Sequence, residues 1–226
     1  MEAQELHVLD AGLMSYGAAL ELQRDLVAAK IGGDAKDYLV FAEHPPVITL
    51  GRSAREEHLK IPRGALASRG VEVFDVERGG DVTYHGPGQL VGYPIIDLKR
   101  AGLGVAAYLR LLEAALVAAL SRFEIEAFAR NRLTGVWTGR GKIAAIGVAV
   151  KRWISFHGFA LNVNTDLDGF GLIVPCGLAG EAVTSMKEVL GGPIDMQAVR
   201  QAVAAAVAEM LGRSTVFEAS MGGKAK

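Results

Sequence analysis

Two long apolar segments, separated by only two residues, place the strongest constraint on how this chain can fold. Ile143–Val150 and Trp153–Val163 are rich in strand-forming residues, and only Lys151 and Arg152 stand between them. This spacing predicts an antiparallel hairpin closed by a two-residue turn. The second segment has apolar side chains on both faces, so we expect a central strand covered on two sides. Gly158, in its middle, predicts a close approach by another backbone or by a ligand.

Helical periodicity alternates with the other strand-like segments. Apolar residues recur at three or four positions over Gly104–Phe123, and Ser15 and Asp195 are suitable N-caps for helices over Tyr16–Lys30 and up to Leu211. This alternation predicts an α/β or α+β fold. A short helix is expected over Thr184–Leu190, and the remaining strand candidates are Tyr38–Ala42, Val47–Leu50, Val71–Val76, Val91–Asp97 and Thr134–Thr138.

Composition excludes several classes of function. The chain has 226 residues, half of them hydrophobic, and its formal net charge is −1, which argues against a dedicated nucleic-acid binder. A single cysteine gives no internal disulfide, and no Cys/His cluster has the spacing of a metal site. The first residues lack an apolar signal-peptide core, and no apolar run is long enough to span a membrane. We therefore expect a cytoplasmic protein without a metal or a membrane partner.

The sequence shows no linker or internal repeat that would divide the chain. We expect one domain over residues 1–220, with a helical C-terminal part from about residue 178. The tail, residues 221–226, is rich in glycine and lysine and is expected to be mobile.

A glycine-rich stretch, Arg78–Leu90, is the first candidate for a functional site. It contains four glycines, one proline and the polar triplet Thr83, Tyr84 and His85. Glycines allow close backbone approach, so we interpret the stretch as a shaped loop with polar tips between strands.

The only cysteine, Cys176, lies between Pro175 and Gly177 after an apolar segment. That setting suits a nucleophile on a tight turn, although a lone cysteine is more often a small buried apolar residue. Lys142, where a glycine-rich loop enters a strand, could stabilise a thiolate, or it could be an ordinary exposed lysine. Sequence spacing does not establish that the two residues meet.

Five sequence blocks together resemble one known family, the lipoyl(octanoyl) transferases of the biotin/lipoate protein ligase superfamily. They occur in the family's order and include both Lys142 and Cys176. The blocks are Glu43–Arg52, Arg78–Leu90, Gly141–Gly147, His157–Asn162 and Pro175–Gly177.

The resemblance implies a biotin/lipoate protein ligase-like fold with mixed, largely antiparallel sheets flanked by helices. It also implies octanoyl transfer, without a cofactor, from octanoyl-acyl carrier protein to a lysine. The acceptors would be apo lipoyl domains of 2-oxoacid dehydrogenase complexes and the glycine cleavage H protein. Cys176 would form a thioester acyl-enzyme that Lys142 assists. The implied substrate-binding residues are Arg78, Gly79, Gly80, Asp81, Val82, Thr83, Tyr84, His85, Ala145, Ile146, Gly147, Gly158, Phe159 and Ala160.

An uneven charge distribution suggests how a carrier protein could bind. Ala127–Thr165 contains no Asp or Glu, and acyl carrier proteins are typically acidic. The basic residues of this segment that could receive one are Arg130, Arg132, Arg140, Lys151 and Arg152.

Other functions remain open at this stage. An ATP-dependent lipoate or biotin ligase would explain Lys142 but leave Cys176 without a role. A non-catalytic module that binds acyl chains or lipoyl domains is another class. A thioesterase would differ only in passing the acyl group to water.

Overall fold

The computed structural model describes residues 4–174 and 181–218. Within these ranges the chain forms ten strands and five α-helices. The strands are β1 (Glu5–Leu13), β2 (Asp37–Glu43), β3 (Val47–Leu50), β4 (Glu72–Asp75), β5 (Val82–His85), β6 (Gln89–Ile95), β7 (Val136–Thr138), β8 (Gly141–Lys151), β9 (Ile154–Asn162) and β10 (Ser214–Phe217). The helices are α1 (Tyr16–Ile31), α2 (Arg63–Ala67), α3 (Val105–Ser121), α4 (Met186–Leu190) and α5 (Met196–Met210), with 3-10 turns at Glu56–His58 and Leu167–Leu172.

The described strands form two sheets. The larger sheet has seven strands in the order β10-β1-β2-β6-β9-β8-β7, and the smaller has the order β4-β3-β5. Strands β10, β1 and β2 run parallel, as do β3 and β4, whereas the other neighbouring pairs are antiparallel. The predicted fold, with mixed and largely antiparallel sheets flanked by helices, is confirmed.

Helices cover both faces of the larger sheet. On one face, α3 and α5 pack Leu116 and Val203 against strand residues such as Phe41 and Leu161. On the other face, α1 packs Ala19 and Val27 against β6 and β9. The start of α1 also contacts the smaller sheet, through Tyr16 and Leu20. Helices within the described ranges all fall short of the length and apolarity that a membrane span requires.

The predicted hairpin of β8 and β9 is confirmed, and its turn is displaced by one residue. Lys151 pairs with Ile154, so the turn consists of Arg152 and Trp153, with φ angles of 50° and 70°. Every residue of β9 is buried, in agreement with the expected central strand.

Two expectations about the strands need correction. The triplet Thr83, Tyr84 and His85 does not sit at the tips of a loop, because Val82–His85 forms β5 and pairs with β3. The sequence reading also missed β1 and β10, whose parallel pairing joins the two ends of the described chain. Such pairing depends on partners distant in sequence, which local patterns do not identify.

Gly158 is a point of close contact between strands, as its position in β9 predicted. A Cβ there would lie 2.2 Å from the carbonyl oxygen of Gly92 and 2.5 Å from Cδ of Pro94. Both neighbours belong to β6, which is fixed between β2 and β9 and cannot move away.

We therefore expect Gly158→Ala to lower the free energy of unfolding by about 1–3 kcal/mol through overpacking. Urea unfolding at neutral pH measures this change. The matched control is Gly64→Ala on α2, where the added Cβ meets no atom within 4 Å and should be neutral or stabilising. Equal stability of the two variants would contradict the prediction.

Candidate active site

A cavity of about 360 Å³ is lined by residues of both sheets and by Tyr16 of α1. Its walls come from the segment before β5, from β5 itself, and from β6, β8 and β9. The apolar side chains in these walls make it suited to an alkyl chain. Of the residues implied by the resemblance, the cavity is lined by Lys142, Arg78, Gly80, Asp81, Val82, Thr83, His85, Ala145, Ile146, Gly147, Gly158, Phe159 and Ala160.

Gly79 and Tyr84 are the two implied binding residues that do not line this cavity. Gly79 donates its backbone N–H to Val148 of β8, at 2.8 Å. Tyr84 belongs to the core of the smaller sheet, where its ring packs edge-on to Phe170.

Two glycines opposite segment 78–81 allow it to lie directly on neighbouring backbone. A Cβ at Gly147 would be 2.8 Å from the carbonyl oxygen of Gly79, and one at Gly51 would be 2.4 Å from that of Gly80. Arg78 is only 8% exposed, and its guanidinium donates to the carbonyl oxygen of Thr49 at 2.7 Å. Arg78 therefore fastens this segment to β3 and is not a solvent-exposed tip.

A chain of buried hydrogen bonds connects β5 to the strand that carries Lys142. His85 Nδ1 donates to Gln89 Oε1 at 2.7 Å, and Gln89 Nε2 donates to Asn162 Oδ1 at 2.9 Å. Asn162 Nδ2 then donates to the carbonyl oxygen of Thr184, whose own N–H donates to the carbonyl oxygen of Lys142. These bonds fix the rotamers at one end of the cavity.

Four further residues form a buried polar cluster beside His85, and sequence reasoning assigned them no role. Tyr16 stacks on His85, with ring centroids 6.0 Å apart. Tyr93 donates its hydroxyl to His44 Nε2 at 2.6 Å, and the Tyr16 hydroxyl lies 3.5 Å from His157 Nδ1. Each histidine flanks or lies in an apolar strand, which signals burial, but only the sheet register brings them together.

Burial keeps the histidines of this cluster neutral. Desolvation lowers the pKa of His85 to about 3 and that of His157 to about 4. Desolvation also lowers the pKa of His44 and raises that of Tyr16 to about 12. The cavity therefore has a polar but uncharged region beside its apolar walls.

Lys142 lies near the start of β8, and its side chain reaches the cavity wall. Its ammonium is 5.1 Å from the centroid of the Trp137 ring. Its backbone N–H donates to the carbonyl oxygen of Ala182 at 2.8 Å, and its carbonyl accepts from Thr184. The chain from residue 181 onward is thus attached to the backbone of Lys142.

Cys176 lies outside the described residues, as do Pro175 and Gly177. The last described residue before them, Val174, donates its N–H to the carbonyl oxygen of His58 at 2.8 Å. The His58 side chain in turn donates to Asp81, which lines the cavity. The chain before Cys176 is therefore connected to the cavity wall through His58, and the chain after it is bonded directly to Lys142.

The basic segment does not form one continuous face. Arg130 pairs with Glu181 at 2.8 Å, and Arg140 donates to the carbonyl oxygen of Glu188. Arg132 is exposed and directly precedes Leu133, which lines the cavity. The turn at Lys151 and Arg152 lies at the opposite end of β8, roughly 30 Å from Lys142 at the usual rise per strand residue.

Comparison with known proteins identifies the family to which this chain belongs. The lipoyl protein ligase A/B catalytic domain matches residues 15–208. The octanoyltransferase of Alkaliphilus metalliredigens is 45% identical over 91% of this chain and 94% of its own length. The octanoyltransferase of Solibacter usitatus is 53% identical over 77% of this chain and 79% of its own length. A crystal structure of lipoate-protein ligase A bound with ATP has a TM-score of 0.74 at 20% identity, covering 96% of this chain and 89% of that one.

The solved structure shares the fold, as the sequence blocks implied. Because its sequence is only 20% identical, it supports the fold and not the function. The curated relatives are much more similar and cover most of the chain. The chain belongs to the lipoyl protein ligase A/B catalytic family and is an enzyme of the octanoyltransferase kind.

The neutral histidines make stability depend on pH. Between about pH 6.5 and about pH 4, an unfolded chain binds a proton on His157 that the folded chain does not bind. The free energy of unfolding should therefore fall with decreasing pH in this window, by up to about 1.4 kcal/mol per pH unit for each such histidine.

Urea unfolding at several pH values between 4 and 7.5 measures this slope. We expect His157→Asn, chosen because asparagine tolerates the φ of 55° at this position, to reduce the slope. Parallel pH dependence of the variant and the original protein would contradict the assignment, whatever their difference in absolute stability.

Proposed function

We propose that this chain transfers an octanoyl group from octanoyl-acyl carrier protein to the ε-amine of a lysine on lipoyl domains. The acceptors are lipoyl domains of 2-oxoacid dehydrogenase complexes and the glycine cleavage H protein. The observation that carries the proposal is the apolar cavity with Lys142 in its wall. Each methylene buried there contributes about 0.8 kcal/mol, which is enough to select for acyl length by cavity depth.

In the first half-reaction, the sulfur of Cys176 attacks the carbonyl carbon of the octanoyl thioester. The carbon–sulfur bond to the carrier breaks, and the carrier's thiol leaves with a proton. The ammonium of Lys142 favours the thiolate form of Cys176 and supplies a proton to the leaving group. The Gly177 N–H, together with a donor from residues 78–85, would hold the oxyanion.

In the second half-reaction, the neutral amine of the acceptor lysine attacks the acyl-enzyme. The nitrogen passes a proton to the neutral amine of Lys142, the bond to the Cys176 sulfur breaks, and an amide forms, which leaves Cys176 as the thiolate and Lys142 as the ammonium. Because a thioester is converted to an amide, the transfer needs neither ATP nor another cofactor.

The covalent chain supports a role for Cys176 at this cavity. Cys176 follows Val174 by two residues, which limits the distance between their Cα atoms to about 7 Å. Val174 is bonded to His58, whose side chain contacts Asp81 of the cavity wall.

An ATP-dependent ligase remains the nearest alternative because the solved neighbours of this fold include such ligases. A non-catalytic binding module and a thioesterase are further candidates. The curated relatives at 45% and 53% identity favour octanoyl transfer over all three.

Intact-mass spectrometry after mixing with octanoyl-acyl carrier protein tests the proposal. We expect a hydroxylamine-labile octanoyl adduct that is absent in Cys176→Ala. Lys142→Ala should form the adduct at least about 100-fold more slowly, the usual loss for a proton-transferring group. Lys151→Ala, on the same strand, is the matched control and should react normally.

An octanoyl adduct that persists in Cys176→Ala would rule out the Cys176 acyl-enzyme. Product formation from free octanoate and ATP, without a carrier, would favour the ligase. Free octanoate released without transfer to a lipoyl domain would favour the thioesterase.

The exposed position of Arg132, next to a residue of the cavity wall, makes it the basic residue best placed to contact the acidic carrier protein. Arg132→Glu should raise the KM for octanoyl-acyl carrier protein severalfold, and added salt should raise the KM of the original protein. Arg140→Glu should act in the same direction but less, since its guanidinium is engaged with Glu188.

Arg152→Glu is the control for charge alone because it lies in the distant hairpin turn. Steady-state kinetics with the carrier-bound donor measures all three variants. Equal KM values for Arg132→Glu and Arg152→Glu, or kinetics independent of salt, would contradict carrier binding at the cavity mouth.

A further inference from the structure

The ammonium of Lys142 lies next to an aromatic ring, that of Trp137. Lys142 Nζ lies 5.1 Å from the centroid of the Trp137 ring, and the two residues are paired across β7 and β8. A ring face attracts a cation within about 6 Å, most strongly when the pair is shielded from water. Trp137 is only 1% exposed, so this pair is largely shielded on the side of the ring.

The absence of a side chain at Gly135 leaves room for the side chain of Lys142. A Cβ at this position would lie 2.7 Å from Lys142 Cε and 3.2 Å from Cη2 of Trp137. The φ of Gly135 is 142°, a conformation that favours glycine. The methylenes of Lys142 therefore pass close to backbone on their way to the ring.

The Trp137 ring is itself fixed by a charged pair. Its indole Nε1–H donates to Glu181 Oε1 at 2.9 Å, and Arg130 donates to the same oxygen at 2.8 Å. The guanidinium of Arg130 also lies 5.0 Å from the ring centroid. Since Glu181 neutralises Arg130, the second cation near the ring does not displace Lys142 by repulsion.

We propose that Trp137 is a positioning residue, which holds the Lys142 ammonium at the cavity wall and is oriented for this by Glu181. The inference rests on the proposed function, in which Lys142 acts on Cys176. Trp137 lines the cavity together with Lys142, and its role in activating Cys176 is exerted through the lysine.

Alkylation of Cys176 by iodoacetamide, followed across pH, tests this positioning. Trp137→Leu should slow alkylation at pH 7 by about threefold to tenfold and raise the pH midpoint of the reaction. Trp137→Phe keeps an aromatic face but loses the hydrogen bond to Glu181, so its rate should lie between those of the original protein and Trp137→Leu. The matched control is Trp153→Leu, which removes the other tryptophan, 51% exposed at the distant turn, and should leave the profile unchanged.

Tryptophan fluorescence gives a readout that does not depend on the thiol. In a Trp153→Phe background Trp137 is the single indole, and Lys142→Met should shift its emission, also when Cys176 is replaced by alanine. An unchanged emission spectrum would overturn the contact itself. This readout, together with Trp137→Phe, decides the question if Trp137→Leu fails to fold.

The role of Lys142 in activating Cys176 and the positioning role of Trp137 can be tested separately. If Lys142→Ala leaves the alkylation profile unchanged, the lysine has no role in activating Cys176, and the proposed function loses that part together with the positioning role. If Lys142→Ala shifts the profile but a folded Trp137→Leu does not, only the positioning role of Trp137 is overturned.

Discussion

The close packing of segment 78–81 against two glycines is the contact on which the cavity depends. The carbonyl oxygens of Gly79 and Gly80 occupy the space that a Cβ would need at Gly147 of β8 and at Gly51 after β3. Arg78 closes the arrangement by donating to Thr49. The segment thus joins the smaller sheet to the larger one, and the space between them becomes a mostly apolar cavity. Glycine is required at positions 147 and 51 because any side chain there would push the segment away and separate the two sheets.

The polar groups of the cavity are arranged so that burial leaves them neutral. His44 accepts from Tyr93 and donates to the carbonyl oxygen of Met14, which satisfies both ring nitrogens without a charge. His85 is similarly held by Gln89. A charge in this region would oppose the binding of an alkyl chain by attracting water. Neutral histidines and tyrosines instead give the site fixed dipoles and defined rotamers. The charge at the site is contributed by Lys142 and the Arg78–Asp81 segment.

Much of this fold could be predicted from local pattern, because β8 and β9 carry long apolar runs, α3 has a regular apolar periodicity, and α1 and α5 have clear N-caps. Ser15 and Asp195 do accept hydrogen bonds from the first turns of α1 and α5. The turn at Arg152 was misplaced by one residue because the left-handed conformations of Arg152 and Trp153 have no glycine or asparagine to mark them. The cavity residues of segment 78–85 were found through sequence blocks. The cluster of Tyr16, His44 and His157 was not, since only the pairing of distant strands brings it together.

Lys142 combines a structural and a chemical task in one residue, and this limits how the site can vary. Its backbone holds Ala182 and Thr184, so the chain that follows the undescribed segment is paired with it whatever its side chain does. Its side chain passes Gly135 and ends beside Trp137. A substitution at position 142 therefore removes the ammonium while keeping the backbone ladder, whereas Trp137→Leu removes the ring beside the ammonium while keeping its charge. Because the charge and the position of the Lys142 ammonium can be altered separately, the contribution of each to the reactivity of Cys176 can be measured.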